Sequence, residues 1–382
     1  MLIKEKKSVG VDIGSNVIKI IGLRRKKKIR IEFMKLTDLY MSKNVRRPED
    51  LSDTLLVQVI RGLISEIKGG VKKVKTSVSG QDALVRSMEL PNLSNSEIQS
   101  AIKWKLASTI PFDIDDVEFD FQVLNTNKSS NMQTVLVGIV PANKMKKHLD
   151  ILTRANLEPE IVEIDSLAIY NCFITLQDLH PDKTVAILNI GAACTTLIIM
   201  HPDHDPLFNS IAIGGNTLTR AIKSTLHISF IDAEQQKIEM SRQASHLSAC
   251  LPERGRLPVP KLGTQSGNAQ ADTTDNTNNY KEIGWKGVLL SMVAKLAEDL
   301  KKADIYYQIL YGEEGLQRIY LTGGGAKLKN LDYLLANAVK VPVALWNPLK
   351  SEKLECKQEI ENIDELGLHF ATSLGLALRD EL

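Results

Sequence analysis

The run Val9-Gly10-Val11-Asp12-Ile13-Gly14-Ser15-Asn16-Val17-Ile18-Lys19 decides how this chain is read. An apolar strand ends in an acid and a glycine, turns on small polar residues, and resumes as a second apolar strand carrying Lys19. A tight turn between two strands can aim several backbone N–H groups into one space, which makes an anion site. An aspartate just before the turn can hold a hydrated divalent cation beside that anion. Taken alone, the pattern fits an ordinary hairpin better than an anion site, because Gly-Ser-Asn suits a turn.

The pattern returns in part between Thr184 and Met200: strand, Asn189-x-Gly191, the small residues Ala192 and Ala193, strand. A third glycine element follows late in the chain. Ile319 to Thr322 reads as a strand, Gly323-Gly324-Gly325 as a turn, and Leu328 to Val339 as a helix with leucines at 328, 331, 334 and 335. Three glycine turns spread over 382 residues suggest two lobes closing on one nucleotide. Their order resembles that of the actin-like ATPase superfamily, which implies an α/β, two-lobed, ribonuclease H-like fold.

A second block narrows the resemblance. Ser77-Val78-Ser79-Gly80 and Arg86-Ser87-Met88-Glu89-Leu90-Pro91 precede the stretch Ser94 to Asp120, which runs S-N-S-E-I-Q-S-A-I-K-W-K-L-A-S-T-I-P-F-D-I-D-D-V-E-F-D. This block, with the closing Leu374-Gly375-Leu376-Ala377-Leu378-Arg379, resembles the PilM family of type IV pilus assembly. The glycine motifs alone are shared with cell-division FtsA proteins. The resemblance covers nearly the whole chain outside about 241–282.

Bulk properties set bounds. A chain of 382 residues can bury at least two cores. A net charge of +2 with 25% charged residues implies no nucleic-acid partner. The run Arg24 to Arg30 is basic and reads as a solvated turn between two strands, with a contact to anionic lipid as the alternative. The four cysteines have no metal-ligand or C-x-x-C spacing and fit a reducing cytoplasm. No apolar h-region precedes Gly10, and no apolar run reaches the ~18 residues that span a bilayer.

Along the chain, Leu51 to Ile67 has the apolar spacing of an amphipathic helix. Ser94 and Glu97 form a capping box ahead of the stripe Ile98, Ile102, Leu106 and Ile110. The polar stretch Asn125 to Gln133 joins two expected strands. Asp232 is the expected cap of a later helix, with Gln235 at the box position. Residues 241–282 read as a flexible surface loop, because 266–279 is almost entirely small and polar. The expected division is a first lobe of 1–79, 156–182 and 366–382, an α/β insertion at 80–155, and a second lobe at 183–365.

The candidate nucleotide site follows from these elements. Asp12 is the cation-side acid, acting through water. Gly14, Ser15 and Asn16 offer N–H groups to phosphate and Lys19 offers a charge. Gly191, Ala192 and Ala193 do the same from the other lobe, below Asn189. Gly214 and Gly215 head the next helix. Glu234 and Lys237 share a helix face at i, i+3, which by itself reads as a surface ion pair. The superfamily resemblance implies that this A-E-x-x-K helix approaches the ribose and adenine. Gly323, Gly324 and Gly325 leave room for base and sugar against backbone.

One departure stands out. Actin-like proteins usually carry aspartate where this chain has Asn189, and a neutral amide cannot act as a carboxylate base. Binding of ATP or ADP with Mg²⁺ is expected, with at most weak hydrolysis. The PilM resemblance implies a cytoplasmic scaffold, peripheral to the inner membrane through its partners. It would bind the cytoplasmic N-terminal tail of PilN, and indirectly PilO and the pilus motor complex; self-association stays open. The alternatives are an FtsA-like filament-forming division or shape protein, and a sugar- or acetate-kinase-like phosphotransferase.

Overall fold

Runs of alternating Val, Ile and Leu lay down the first sheet. In the computed structural model, which describes residues 6–25, 28–40, 51–110, 112–127, 131–178, 183–243, 276–312, 314–356 and 361–379, β1 (Lys6–Ile13), β2 (Val17–Arg25) and β3 (Ile29–Asp38) form an antiparallel meander. Helix α1 (Asp53–Ser65) begins where the Ser52 hydroxyl accepts the Leu55 N–H. Strand β4 (Lys73–Val78) then lies parallel to β1.

The chain next builds a separate unit from β5 (Leu84–Pro91), α2 (Asn95–Ala107), β6 (Val117–Asn127) and β7 (Met132–Pro141), with strand order β5-β7-β6. The Glu97 carboxylate accepts the Ser94 N–H at 2.9 Å and its O–H at 2.6 Å, the capping box expected there. These two bonds hold the carboxyl below its ordinary range. Ile98, Ile102 and Leu106 are fully buried against Val135, Val137 and Ile139. Strands β6 and β7 run further into the polar stretch 125–133 than its composition suggests.

Helix α3 (Ala142–Arg154), β8 (Glu158–Ile164) and α4 (Asp165–Leu176) return to the first sheet. Helix α3 was expected inside the 80–155 insertion. Instead Ile151 and Leu152 pack with Val11, Ile18, Ile20 and the α1 residues Leu56 and Ile60, in the first lobe's core. An amphipathic helix serves either core, and the chain's path after β7 decides which.

The second half repeats the plan. β9 (Val185–Ile190), β10 (Thr195–His201) and β11 (His204–Ile211) form another antiparallel meander. Helices α5 (Gly215–Leu226), α6 (Phe230–Gln243) and α7 (Asn276–Tyr311) follow, then β12 (Arg318–Thr322), α8 (Leu331–Val339) and β13 (Val343–Leu345). The cap of α6 is Ser229: its hydroxyl accepts the Asp232 N–H at 3.1 Å, so Asp232 is the box residue, while Gln235 bonds Glu239. Of the span 241–282 read as a loop, 241–243 close α6 and 276–282 open α7; residues 244–275 lie outside the described residues. The chain ends with β14 (Leu354–Cys356), α9 (Ile363–Leu366) and α10 (Ala371–Leu378).

The two large sheets have orders β14-β3-β2-β1-β4-β8 and β11-β10-β9-β12-β13. In each, a three-strand meander is extended by parallel strands beside its first member. Strand β14 pairs with β3, so residues 354–356 belong to the first sheet although the sequence placed them in the second lobe. That pairing also anchors the basic turn: Lys28 and Arg30 both reach Glu355, and Arg24 pairs with Glu32.

Helices α4 and α10 fill the layer between the sheets. Phe173, Phe370 and Leu374 share one core with Ile187, Ile198 and Met200 of the second sheet, and Phe173 meets Tyr320 and Trp346 edge-on. Helix α10 sits close because two glycines leave it space. A Cβ on Gly10 would lie within van der Waals overlap of the Ser373 carbonyl, and one on Gly375 would overlap the Ala168 carbonyl. Both obstacles are backbone, so neither yields cheaply. Gly375→Ala is therefore expected to destabilise the protein by about 1–3 kcal/mol, read as a lower denaturant midpoint with an unchanged slope; an unchanged midpoint would show that α10 has slack.

Candidate nucleotide site

The first turn is built by strand register. Asp12 and Lys19 are cross-strand partners, so although seven residues apart they project on one side. Lys19 Nζ lies 2.7 Å from Asp12 Oδ2, with both side chains 13% exposed. The Gly14 N–H closes the turn on the Val17 carbonyl at 3.1 Å and is not free for a ligand, contrary to the role expected for it. A Cβ on Gly14 would stand 2.8 Å from Lys19 Nζ and 3.9 Å from Asp12 Oδ1, so the missing side chain keeps a charged niche open. Ser15 is exposed at the tip, and its carbonyl accepts the Tyr40 hydroxyl at 3.3 Å.

The second turn closes in the same way, with the Gly191 N–H on the Cys194 carbonyl at 2.9 Å. Gly191 is thus also committed to turn geometry, and Ser15, Asn16, Ala192 and Ala193 form the tips of the two turns. Asn189 occupies the place of Asp12, and its cross-strand partner is Thr196. The head of α5 locks onto this turn: the Gly215 N–H donates to the Gly191 carbonyl at 2.9 Å and the Asn216 N–H to the Ala192 carbonyl at 2.8 Å. A Cβ on Gly214 would come 2.5 Å from the Ala192 oxygen. Gly214 and Gly215 therefore serve first as points of close backbone approach.

Glu234 and Lys237 make the i, i+3 pair that the spacing predicts, at 2.7 Å. It is not a surface pair. Lys237 is buried, and its ammonium also donates to Thr219 Oγ1 at 3.0 Å and the Gly215 carbonyl at 3.4 Å, while Thr219 donates to Glu234 at 2.6 Å. This network ties α6 to the first turn of α5.

The third turn joins the same place from the far side. Gly323 adopts φ +87°, which favours glycine. Its N–H donates to the Leu368 carbonyl at 2.8 Å, and a Cβ there would lie 2.6 Å from Asn189 Oδ1. Gly325 lies against Ile190 and Gly324 against the His369 ring. Burial pushes His369 down to about 3, helped by the charges of Lys327 and Lys19, so it is neutral at physiological pH.

The contacts run from the first turn to α5, to the second turn, to the triple glycine and back toward Lys19. Asp12, Asn189 and Gly323 all stand at or just beyond the C-terminal ends of strands, where open α/β sheets form their ligand crevices.

Three residues of this crevice were not singled out in the sequence. Asp165, directly after β8, accepts the Gly80 N–H at 2.9 Å; burial, opposed by that bond and reinforced by the Asp12 charge, pushes its carboxyl up to about 7. Half-buried His148 on α3 bonds Thr76 Oγ1 at 3.0 Å; burial pushes it down to about 4, against the pull of Asp12. Asn216 bonds Asn16 across the lobes. The available signal for Asp165 was an acid at the end of an apolar strand, the placement that drew notice at Asp12. Among the described residues no group of three or more His, Cys, Asp or Glu is placed to hold a metal directly. Asp12 alone fits a cation carried with its own water shell.

Known proteins share this fold. The sequence model described as type IV pilus assembly protein PilM matches residues 10–249, and that of the cell division protein FtsA matches residues 186–375. A solved structure described as a PilM-PilN type IV pilus biogenesis complex superposes with a TM-score of 0.75 at 23% identity, over 97% of this chain and 98% of that one. The ethanolamine utilization protein EutJ from Carboxydothermus hydrogenoformans superposes at 0.50 with 13% identity, over 99% of this chain and 91% of that one. At these identities the structures establish the two-lobed actin-like fold. The family match spans well over half of the 382 residues, and the chain belongs to the PilM family of type IV pilus assembly proteins.

Proposed function

We propose that this chain is a nucleotide-binding scaffold that holds ATP or ADP with Mg²⁺ between its lobes and receives the cytoplasmic N-terminal tail of a PilN-like membrane protein. The observation that carries the reading is the convergence of three glycine turns, 14–16, 191–193 and 323–325, on one crevice that already contains a paired carboxylate and ammonium. The donor set suits the ligand. Phosphate would draw on Lys19 and the N–H groups at the two turn tips, and hydrated magnesium would take Asp12. Bound magnesium would supply charge neutralisation to the phosphates. Lys237 and Glu234, held by Thr219, would face ribose and adenine from a preset position, and Gly323 to Gly325 would pass close under base and sugar.

The tail groove would lie between the first lobe and its β5–β7 insertion, the part of the chain that the PilM match covers and the FtsA match does not. That coverage favours the pilus reading over an FtsA-like filament. No helix among the described residues is long and apolar enough to cross a membrane, which suits attachment through PilN, and through it to PilO and the motor complex. The lobe division would be the one read from the sequence, changed in that α3 and β14 join the first lobe. Nucleotide would act on the groove only by its differential affinity for two lobe closures.

Two binding measurements test this reading. ATP with magnesium should raise the melting temperature of nucleotide-free protein by mass action, and immobilised PilN-tail peptide should capture the chain. No shift at millimolar ATP counts against the nucleotide site, and no capture counts against the partner.

Asn189 should make the protein a poor ATPase, with turnover near background. Asn189→Asp is expected to raise magnesium-dependent phosphate release, whereas Asp12→Ala should weaken binding and remove its magnesium dependence. Brisk wild-type turnover that Asn189→Asp leaves unchanged would sink the assignment of the second turn to the phosphates.

Asp165 provides a pH test. Its folded-state value of about 7 exceeds the ordinary 3.8, so between these values the folded protein binds more protons than the unfolded chain. Its contribution to stability therefore falls as pH rises from about 4 to 7. Asp165→Asn keeps an acceptor for the Gly80 N–H and removes this slope. The variant should melt higher than wild type at pH 8 and about equally at pH 4; parallel pH profiles would show that Asp165 is ionised at no cost.

A further inference from the structure

Two buried amides meet where the lobes come together. Asn16 Nδ2 donates to Asn216 Oδ1 at 2.9 Å and Asn216 Nδ2 donates to Asn16 Oδ1 at 3.1 Å, between residues only 7% and 4% exposed. Both are tethered by backbone. The Asn16 carbonyl accepts the Leu39 N–H at 2.8 Å, and the Asn216 N–H is bound to the second turn through Ala192. The pair therefore joins the first glycine turn to the second across the cleft. Beside it, Tyr40 from the end of β3 packs on Phe230 at the start of α6, with ring centroids 5.6 Å apart.

A reciprocal amide pair is satisfied at one separation and one orientation. Rotation of a lobe that widens the cleft by an ångström or two breaks both bonds together. Once apart, each amide is satisfied by water, so the contact can be made and broken without leaving a buried orphan. An apolar contact would offer no such orientation-dependent release. Two neutral hydrogen bonds bias an open–closed equilibrium by roughly ten- to hundredfold.

We propose that the Asn16–Asn216 pair is the latch of the cleft: it holds the lobes closed over the glycine turns and sets how fast nucleotide exchanges. The exchange half of this proposal rests on the nucleotide-binding reading; the closure half does not. The latch differs from the ligand groups in kind. Asn16 contributes its backbone to the phosphate turn and its side chain to the other lobe, so occupancy of the turn and closure of the lobes share one residue.

The test uses the full chain with Asn216 changed, since Asn16 belongs to the candidate binding turn. Asn216→Ala removes both bonds, and Asn216→Ser keeps a polar group too short to span the gap. Small-angle scattering on nucleotide-free protein should show a larger radius of gyration in both variants than in wild type. Stopped-flow release of a fluorescent ATP analogue with magnesium should be about tenfold faster or more. Equal radii in wild type and variants overturn the latch. Larger radii with unchanged release keep closure and overturn control of exchange. If wild type does not bind the analogue, the nucleotide reading fails while scattering still decides closure, and if Asn216→Ala does not fold, Asn216→Ser decides alone.

Discussion

Helix α10 can lie between the sheets only because Gly10 and Gly375 carry no side chains, and the crevice is organised around that close approach. The helix packs on β1 below the first glycine turn and on α4, which begins at Asp165. The turn that leads into it, Gly367–His369, reaches the third glycine turn: the Leu368 carbonyl takes both the Gly323 N–H and the Thr322 hydroxyl, at 2.8 and 3.1 Å. Seating one helix thus fixes the height of three parts of the site that come from opposite ends of the sequence. Interiors packed to crystal-like density transmit such constraints because little can yield.

On the proposed function, the charges of the first turn would exchange partners. Burying an ion pair costs desolvation on both sides, and the pair compensates only while both members are present. Here Asp12 and Lys19 neutralise each other at 2.7 Å. Arrival of Mg²⁺ and phosphate would give each a new partner of opposite charge, the carboxylate a cation and the ammonium an anion. Neither charge would stand uncompensated in either state. Lys237 and Glu234 differ, since Thr219 and the Gly215 carbonyl also hold the pair, and their work in the described structure is to brace α5 against α6.

Much of this was readable in the sequence, for a physical reason. The glycine turns and the apolar strands on either side are local patterns, and a hairpin folds from its own residues. The duplicated meander followed from two copies of that pattern. What escaped was set by distant packing. Strand β14 spans three residues and finds its partner, β3, more than three hundred positions away, too little pattern over too long a separation. Helix α3 has a usable apolar stripe in either core. Asp165 and Asn216 are single polar residues in the first turns of helices, where caps and acids are common on helix grounds alone. The amide pair becomes visible only when residues 200 apart are brought together.

Comparison of the two hairpins shows what Asn189 is matched to. Both turns close through the same glycine N–H bond, and position 189 stands where Asp12 stands. The residue across from Asp12 is Lys19; the residue across from Asn189 is Thr196, fully neutral and buried. The second hairpin therefore carries neither half of such a charge pair. An amide opposite a hydroxyl keeps hydrogen-bonding capacity without a desolvated charge, so the second turn is balanced with no ligand bound. A carboxylate at 189 would have no lysine to meet it and could be balanced only by a bound cation. The first turn holds a compensated charge pair and the second holds none, so of the two turns only the first would present charge to a nucleotide bound as proposed.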